Sequence, residues 1–199
     1  ELFPLFNRDY DLVRRSIGIT SMGKTAAELM RAFNKRKIIL QKARNKVLAA
    51  ASIIIDNKDK KIIVFGENKE IITGVSPSGE KTMRGLAEEL YNNHINFIEY
   101  YGGKKEDLTK FKNNEVRVLL SCKALDEGFN DPETSVGVIL AGNSTTKQFI
   151  QRSGRIIRKS EGKEMPVIFQ FYVKNTQDEI WLKKRQLPFF MVAGYLLKK

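Results

Sequence analysis

From residue 61 onward, the sequence alternates short apolar runs with longer amphipathic segments. The apolar runs are predicted strands, at Ile62–Phe65, Phe97–Tyr100, Val116–Leu120, Val136–Leu140 and Val167–Val173. The predicted helices between them span residues 80–91, 104–112 and 148–158. Continuous apolar runs are typical of strands buried on both faces, and parallel strands need crossover connections, usually helices. We therefore predict a three-layer α/β domain, with a mainly parallel sheet and helices on both faces.

The flanking segments are predicted to be helical. Thr25 and Glu28 have the spacing of a capping box, which predicts a helix from Thr25 to about Ile55 with a break near Asn34 and Lys35. A final helix is predicted at Gln177–Gln186. The predicted organisation is a helical lead-in at 1–58, the α/β domain at 59–175 and a C-terminal helical extension at 176–199.

Charge and cysteine content narrow the function classes. The 35 Lys and Arg residues outnumber the 23 Asp and Glu residues, and the formal charge of +12 predicts a polyanionic partner such as nucleic acid. With a single cysteine, Cys122, and a single histidine, His94, neither an internal disulfide nor a metal site is expected. The lone cysteine also favours an intracellular, reducing compartment. The longest apolar run near the C-terminus, residues 189–197, is too short to span a bilayer, so no membrane association is expected.

The segment Gln148–Arg158 carries an arginine stripe. At about 100° per residue, Gln151, Arg155 and Arg158 fall on one side of a helix with Gly154 beside them. Guanidinium groups stay charged and offer forked donors, so this stripe suits phosphate oxygens. The alternative is a solvated basic face on an ordinary amphipathic helix. The opposite side, expected to be buried, consists of Phe149, Ile150, Ile156 and Ile157.

A polar loop, residues 121–132, follows the third predicted strand. It contains Asp126, Glu127 and Gly128, and it turns away at Asn130. In parallel sheets, ligands bind beyond the carboxyl ends of the strands, so this loop is a candidate for hydrogen bonds to a ribose or phosphate. The alternative is a simple polar connection.

Four of these segments together resemble a known family. Ile62–Phe65, Tyr101–Gly103, Val118–Ser121 with the following Glu127-Gly128, and Gln151–Arg158 resemble motifs IV, IVa, V and VI of the second RecA-like motor domain of superfamily 2 helicases and translocases. The last segment, Gln-Arg-x-Gly-Arg-x-x-Arg, is the most specific of the four. Lys123 and Asn130 stand where that family commonly has Asp.

The resemblance implies a role for each motif position. Arg155 and Arg158 correspond to arginine fingers that reach the γ-phosphate of ATP, with Gln151 and Arg152 supporting them. The resemblance further implies a loop that couples the nucleotide to nucleic-acid binding, comprising Asp126, Glu127, Gly128 and Asn130. The implied contacts to the nucleic-acid backbone are Gly66, Gly102, Ser121 and Lys123.

The resemblance also implies what lies outside this chain. In this family, ATP and Mg²⁺ are bound mainly by a first RecA-like lobe, which supplies the phosphate loop and an Asp-Glu pair. The expected function is therefore the second motor lobe of an ATP-dependent helicase or translocase, inactive in ATP hydrolysis by itself. The expected partners are the first lobe and nucleic acid, with DNA favoured, bound through its phosphate backbone.

A rival signal occurs near the N-terminus. Gly18–Thr25 satisfies the phosphate-loop pattern G-x-x-x-x-G-K-[ST]. Residues 10–17 carry three charges where a buried strand would be needed, and only the 36 residues 26–61 separate the string from the first predicted strand. A nucleotide-binding lobe needs about 100 residues or more, so a helix cap at Thr25 is favoured. The alternative functions are a self-contained P-loop ATPase using Gly18–Thr25 and a non-catalytic nucleic-acid-binding domain of motor ancestry.

Overall fold

The computed structural model describes the backbone of residues 21–75, 78–81, 83–102, 104–122, 129, 131–142, 146–158, 163 and 165–196. Side chains are described for the same residues except 21–26 and 187–196. Residues 1–39 and 40–199 form two compact units, and each is treated by itself. The three-part division at 1–58, 59–175 and 176–199 remains a prediction.

The first helix of the lead-in begins earlier than predicted and continues through the expected break. Helix α1 (Ser21–Gln41) contains Thr25, so this residue is not an N-cap. The expected break near Asn34 and Lys35 is also wrong. Both residues are exposed, so the Asn34 amide can stay in water instead of competing for backbone hydrogen bonds, and no Pro or Gly interrupts this stretch. The break occurs instead after Gln41, where α1 ends, and Ala43 before the next helix has an extended ψ of 119°.

The second half of the phosphate-loop string lies within the same helix. Ser21 to Thr25 are helical, whereas a phosphate-cradling loop presents backbone N–H groups that are not part of a regular helix. Gly18 to Thr20 and the residues before them lie outside the described part of the chain. Helical Ser21–Thr25 favours the reading of this stretch as a helix rather than a phosphate loop.

The second unit, residues 40–199, contains an α/β sheet structure of the predicted class. Its elements are α2 (Arg44–Asp56), β1 (Ile62–Gly66), α3 (Lys69–Thr73), α4 (Leu86–Asn92), β2 (Phe97–Tyr101), β3 (Lys104–Lys105), α5 (Thr109–Lys112), β4 (Val118–Cys122), β5 (Val136–Ile139), α6 (Thr146–Ile156), β6 (Val167–Gln170) and α7 (Gln177–Leu196). The six strands found among the described residues form one sheet in the order β3-β2-β4-β1-β5-β6. All pairings are parallel except that of the short β3 with β2. The predicted fold class is confirmed.

Two hydrophobic clusters cover the two faces of the sheet. Along β1, Ile62 and Val64 point to one face, whereas Ile63 and Phe65 point to the other. The first face packs against α2, α3 and α4, and the second packs against α5 and α6. Because β1, β4 and β5 are buried along their full lengths, they read in the sequence as uninterrupted apolar runs.

Two of the predicted helices are much shorter than expected. The segment 80–91 becomes helical only from Leu86, because the chain before it folds back onto the end of α3. A Cβ on Gly85 would lie 2.3 Å from the Ile72 carbonyl oxygen, and Gly74 has a φ of +74° that few other residues adopt. In the segment 104–112, only α5 is helical. Lys104 and Lys105 instead pair with β2, where the Glu106 carboxylate accepts the Glu99 N–H at 2.7 Å.

The strand and final-helix boundaries also shift. β4 starts and ends two residues later than predicted, because it stays in parallel register with β1 as far as Gly66 and Cys122. Ser121 therefore lies within the strand and not in the loop after it. The last helix, α7, continues ten residues beyond Gln186. Within the described residues, no helix is long and apolar enough to cross a bilayer.

Candidate functional site at the carboxyl edge of the sheet

Helix α6, which carries the arginine stripe, packs on the sheet with a mixed apolar and polar face. Phe149 and Ile156 are buried as predicted, but Ile150 and Ile157 are about half exposed. The buried positions repeat at the 3–4-residue spacing of a helix face and are Phe149, Arg152, Ser153 and Ile156. Ile156 fixes this rotation because its side chain fills the space above Gly137 of β5, where a Cβ would lie 2.0 Å from Ile156 Cδ1.

Arg152 joins α6 to the ends of two central strands. Its Nη1 lies 2.9 Å from Glu67 Oε1, directly after β1, and 3.4 Å from the carbonyl oxygen of Ala141, after β5. The Arg152 and Glu67 side chains are only 2% and 4% exposed. The guanidinium carbon also lies 5.4 Å from the centre of the Phe65 ring. A buried guanidinium is stable only with such close partners, so this pair fixes the position of α6 over the carboxyl edge.

Arg155 points towards the polar loop after β4. Its side chain is partly buried, and its Nη1 donates a hydrogen bond to the carbonyl oxygen of Phe129. Phe129 is itself buried and packs at 6.0 Å between ring centres against Phe111. The structure therefore brings the arginine stripe and the end of this loop together, as expected for two motifs of one site.

The other two stripe residues reach the surface. Gln151 and Arg158 are both exposed, and Arg158 lies just beyond the end of the helix. The ammonium group of Lys163 donates to the carbonyl oxygens of Ile156 at 2.7 Å and Arg158 at 2.8 Å. A cation at these terminal carbonyls stabilises the end of a helix. The end of α6 is thus held in place while Arg158 remains accessible.

The remaining predicted site residues are distributed along the same edge. Gly66 and Ser121 end up buried, and Gly102 is exposed after β2. A Cβ on Gly66 would lie 2.9 Å from Cys122 Sγ, so Gly66 allows β1 and β4 to pack closely. No described group forms a hydrogen bond with Ser121 Oγ. The predicted residues that lie outside the described part of the chain are Lys123, Asp126, Glu127, Gly128 and Asn130.

The structure adds charged residues that the sequence patterns did not single out. Lys46 of α2 and Asp178 of α7 form a buried ion pair of 2.5 Å. Arg185 of α7 is 2% exposed and donates from Nε to Gln170 Oε1 at 3.3 Å. Burial lowers the pKa of Lys46, although Asp178 opposes this effect. Burial likewise lowers the pKa of Arg185, with Asp178 opposing it and Arg152 adding to it.

Among the buried charged residues of this edge that the sequence analysis did not single out, Glu67 is the one with a signal in the sequence. Glu67 comes directly after the first core strand, and an acidic residue there faces the carboxyl edge of the sheet. Lys46 and Arg185 lie on helices rich in basic residues, where nothing in the local pattern separates a buried cation from a solvated one.

The chemistry available at this edge is anion recognition. The partly buried Arg155 and the exposed Arg158 supply guanidinium donors, while Arg152 is held in a buried ion pair. In the part of the chain that is described, no three His, Cys, Asp or Glu side chains are grouped so that they could bind a metal ion. The described arginines therefore suit a phosphate-bearing ligand.

Comparison with known proteins identifies the family to which this chain belongs. The family described as "Helicase conserved C-terminal domain" matches residues 42–160, more than half of the chain and all four motif segments. A DNA 3'-5' translocase of Sulfurisphaera tokodaii is 26% identical over 182 residues, which are 90% of this chain and 38% of that protein. The chain thus spans well under half the length of this relative.

Solved structures share the fold. The C-terminal domain of the DEAD-box protein Dbp5 aligns with a TM-score of 0.55 and 16% identity, covering 75% of this chain and 81% of that one. Saccharomyces cerevisiae Dbp5 bound to RNA and ADP BeF3 aligns with a TM-score of 0.56 and 18% identity over 71% of this chain and 35% of that one. This chain belongs to the helicase conserved C-terminal domain family, as a C-terminal RecA-like domain of the superfamily 2 helicases and translocases.

Proposed function

We propose that this chain supplies the second motor lobe of an ATP-dependent DNA helicase or translocase. In this proposal, Arg155 and Arg158 act on the γ-phosphate of ATP, which a first RecA-like lobe outside this chain binds together with Mg²⁺. The observation that carries the proposal is the placement of α6. The buried Arg152–Glu67 pair fixes this helix at the carboxyl edge of the sheet, with Arg155 half-buried and Arg158 exposed at its end.

The physical reason lies in the charge that develops during phosphoryl transfer. Fixed guanidinium donors stabilise that charge best when their helix does not have to reorganise during the reaction. Arg152 supports this function through its pair with Glu67, and the exposed Gln151 is positioned to bind water or phosphate beside the arginines. A basic face that only binds nucleic acid does not require a buried ion pair beneath it.

We propose nucleic-acid binding through the phosphate backbone, with DNA as the substrate. The charge of +12 and the similarity to a DNA translocase support this choice. Of the four proposed contact residues, Gly102 is exposed, and Lys123 lies outside the described residues. Gly66 and Ser121 are buried, so we assign them to shaping the strand ends. The proposed coupling loop between nucleic acid and ATP comprises Asp126, Glu127, Gly128 and Asn130.

The decisive experiment separates catalysis from binding in a two-lobe protein that contains these residues. Arg155→Ala should lower kcat about 10²–10⁵-fold while changing the Kd for DNA far less. Arg158→Ala should behave in the same way. Arg155→Lys should not restore turnover, because an ammonium group lacks the forked donor geometry. Lys147→Ala, an exposed cation on the same helix, is the matched control and should retain the normal kcat.

Two results would contradict the proposal. If Arg155→Ala kept most of its turnover and lost only some DNA affinity, α6 would be a solvated basic face on a binding domain. If the 199-residue chain alone hydrolysed ATP rapidly and Lys24→Ala abolished that activity, Gly18–Thr25 would be a working phosphate loop. We expect no measurable turnover from the chain alone, because half of the catalytic cleft is supplied by the other lobe.

A further inference from the structure

We propose that Arg185 of helix α7 is a positioning residue for the arginine-bearing helix α6. The inference rests on the proposed function of Arg155 and Arg158 and extends it to the C-terminal helix, which lies beyond the matched family region of residues 42–160. In this proposal, the Arg185 guanidinium closes the buried space beside Arg152, so that Arg152 keeps its pair with Glu67 and α6 keeps its orientation.

The two guanidinium groups contact consecutive residues at the end of β5. Arg152 donates to the carbonyl oxygen of Ala141 at 3.4 Å. The Arg185 guanidinium lies against the next residue, Gly142, where a Cβ would come within 2.9 Å of Nη1 and 3.0 Å of Cζ. Gly142 therefore makes room for a guanidinium at this place, and any larger residue would push it away.

Arg185 is held from its other side as well. Its Nε donates to Gln170 at the end of β6, and Gln170 is paired in register with Ile139 of β5. About two turns earlier on α7, Asp178 forms the buried pair with Lys46. The Asp178 carboxylate also accepts the N–H of Val173 at 3.1 Å. The helix is thus fixed to α2 and to the segment after β6, which leaves Arg185 little freedom to move.

The charges make the arrangement specific to this position. Lys46, Arg152 and Arg185 are buried cations, and Asp178 and Glu67 are the carboxylates that pair with Lys46 and Arg152. Two neighbouring guanidinium groups repel each other, and the pKa of Arg185 is lowered by burial first and by Arg152 in addition. A stabilising role alone would be met more simply by a wholly apolar cluster, since replacing a complete set of buried charges with apolar residues is often neutral or favourable, whereas removing one member alone is destabilising.

The first test uses hydrogen–deuterium exchange on the 199-residue chain. Arg185→Met removes the charge at similar length, and Lys184→Met is the matched control at the neighbouring, exposed position. We expect Arg185→Met to speed exchange in residues 146–156 about tenfold or more while exchange in β2 stays unchanged. A uniform increase in all segments, or no increase in α6, would overturn the proposal.

Two further variants keep the test decisive if Arg185→Met fails to fold. Arg185→Lys keeps the charge but loses the forked donors, and Gly142→Ala displaces the guanidinium without changing it. Both should raise exchange in α6 selectively, by less than Arg185→Met. If both leave α6 unchanged, Arg185 does not position it.

The second test is a double-mutant cycle on kcat in the two-lobe protein. Arg185→Met should lower kcat in the normal background but add little in the Arg155→Ala background, because it acts through the same arginines. Fully additive losses would mean a general structural effect and would overturn the inference. If Arg155→Ala itself left kcat normal, the proposed function would fail instead, and the exchange result would still report on positioning.

Discussion

Two clusters of buried charge flank the same strand, and they differ in balance. The amino-edge cluster surrounds Lys61, directly before β1, and consists of Lys61, Asp131, Glu133 and Thr134. The carboxyl-edge cluster surrounds Glu67, directly after β1, and consists of Glu67, Arg152, Arg185, Lys46 and Asp178. Among the described residues of these two clusters, the amino-edge cluster holds one cation and two carboxylates, of which Glu133 is half exposed, and the carboxyl-edge cluster holds three cations and two carboxylates.

The amino-edge cluster is held by contacts among its own members and with the end of α5, where Lys61 donates to the Lys112 carbonyl oxygen and Asn114 donates to Glu133. The Lys61 ammonium lies 2.9 Å from Asp131 Oδ1 and 3.4 Å from Glu133 Oε2, and the Thr134 hydroxyl donates to Asp131 Oδ2 at 2.6 Å. The ammonium also lies 4.8 Å from the centre of the Phe111 ring. This cluster joins the start of β1 to the segment before β5, and none of its members lies on a motif segment. Its contribution is to stability.

The carboxyl-edge cluster uses similar contacts for another purpose. Its cations lie on α2, α6 and α7, and the helix that carries Arg152 also presents Arg155 and Arg158. The comparison teaches that burial of charge does not by itself mark a functional site. What distinguishes the proposed functional end is the pair of buried guanidinium groups, Arg152 and Arg185, beside a helix that carries two further arginines.

The largest expected effect is the salt dependence of DNA binding, which comes from exposed cations outside both clusters. Binding of this chain to DNA should weaken steeply with salt, with log K linear in log salt concentration, because exposed Lys and Arg release counterions from phosphates. Proteins with 6–10 phosphate contacts lose affinity about 10³–10⁵-fold between 50 and 200 mM salt. The measurement is a salt titration of DNA binding with several sequences.

The comparison predicts how variants change this salt dependence. Lys61→Met should leave the slope unchanged, since a buried cation releases no counterion. Binding that is insensitive to salt or strongly selective for base sequence would contradict a backbone contact and remove DNA from the proposed function.

The next effect separates stability from turnover. Lys61→Met leaves Asp131 buried without its cation and should lower the free energy of unfolding by about 3–5 kcal/mol. Arg152→Met leaves Glu67 buried without its paired cation and should lower the free energy of unfolding by a similar amount. Well below the unfolding temperature, however, only Arg152→Met should lower kcat, by about 10²-fold, because it releases the helix that positions Arg155. Denaturant unfolding and steady-state kinetics measure the two quantities.

Glu133→Gln is the control for the amino-edge cluster. The Glu133 side chain is 54% exposed, so its contact with Lys61 should contribute little, as exposed ion pairs do at about 0–1 kcal/mol. If Lys61→Met also reduced kcat in fully folded protein, the two ends of β1 would not have separate roles.

The sequence was sufficient for the parts of the fold that depend on local pattern. The five long strands and helix α6 could be predicted because uninterrupted apolar runs and a 3–4-residue repeat are local signals. The hairpin of β2 and β3 could not, because Lys104 and Lys105 resemble the start of a basic helix until Glu106 bonds to the Glu99 backbone. The late start of α4 likewise depends on the contact between Gly85 and the end of α3.

The sequence pointed to the motif residues of the proposed site but not to the residues that support them. Arg155 and Arg158 occur in a recognisable string, whereas Arg185 contacts Gly142 only through the fold. The rotation of α6 was also misjudged at Ile150 and Ile157, since hydrophobicity alone favours isoleucine over arginine for the buried side. The buried ion pair with Glu67 outweighs that preference at Arg152, and a pair between residues so far apart has no local signal.

The smallest effect tests the open space beside the arginine stripe. Gly154 lies in the interior of α6, is exposed, and has no described atom within 4 Å of the place where a Cβ would be. Gly154→Ala should therefore raise the free energy of unfolding by about 0.5–1 kcal/mol, because alanine has the higher helix propensity. We nevertheless expect kcat of the two-lobe protein to fall, because a phosphate or the first lobe must approach this face closely. The control for this substitution is Lys147→Ala, also on α6. Gly79→Ala would not serve, because Gly79 has a φ of +90° that alanine rarely adopts. A variant that was more stable and fully active would show that nothing approaches Gly154, and the functional face of α6 would then be limited to Arg155 and the exposed end at Arg158.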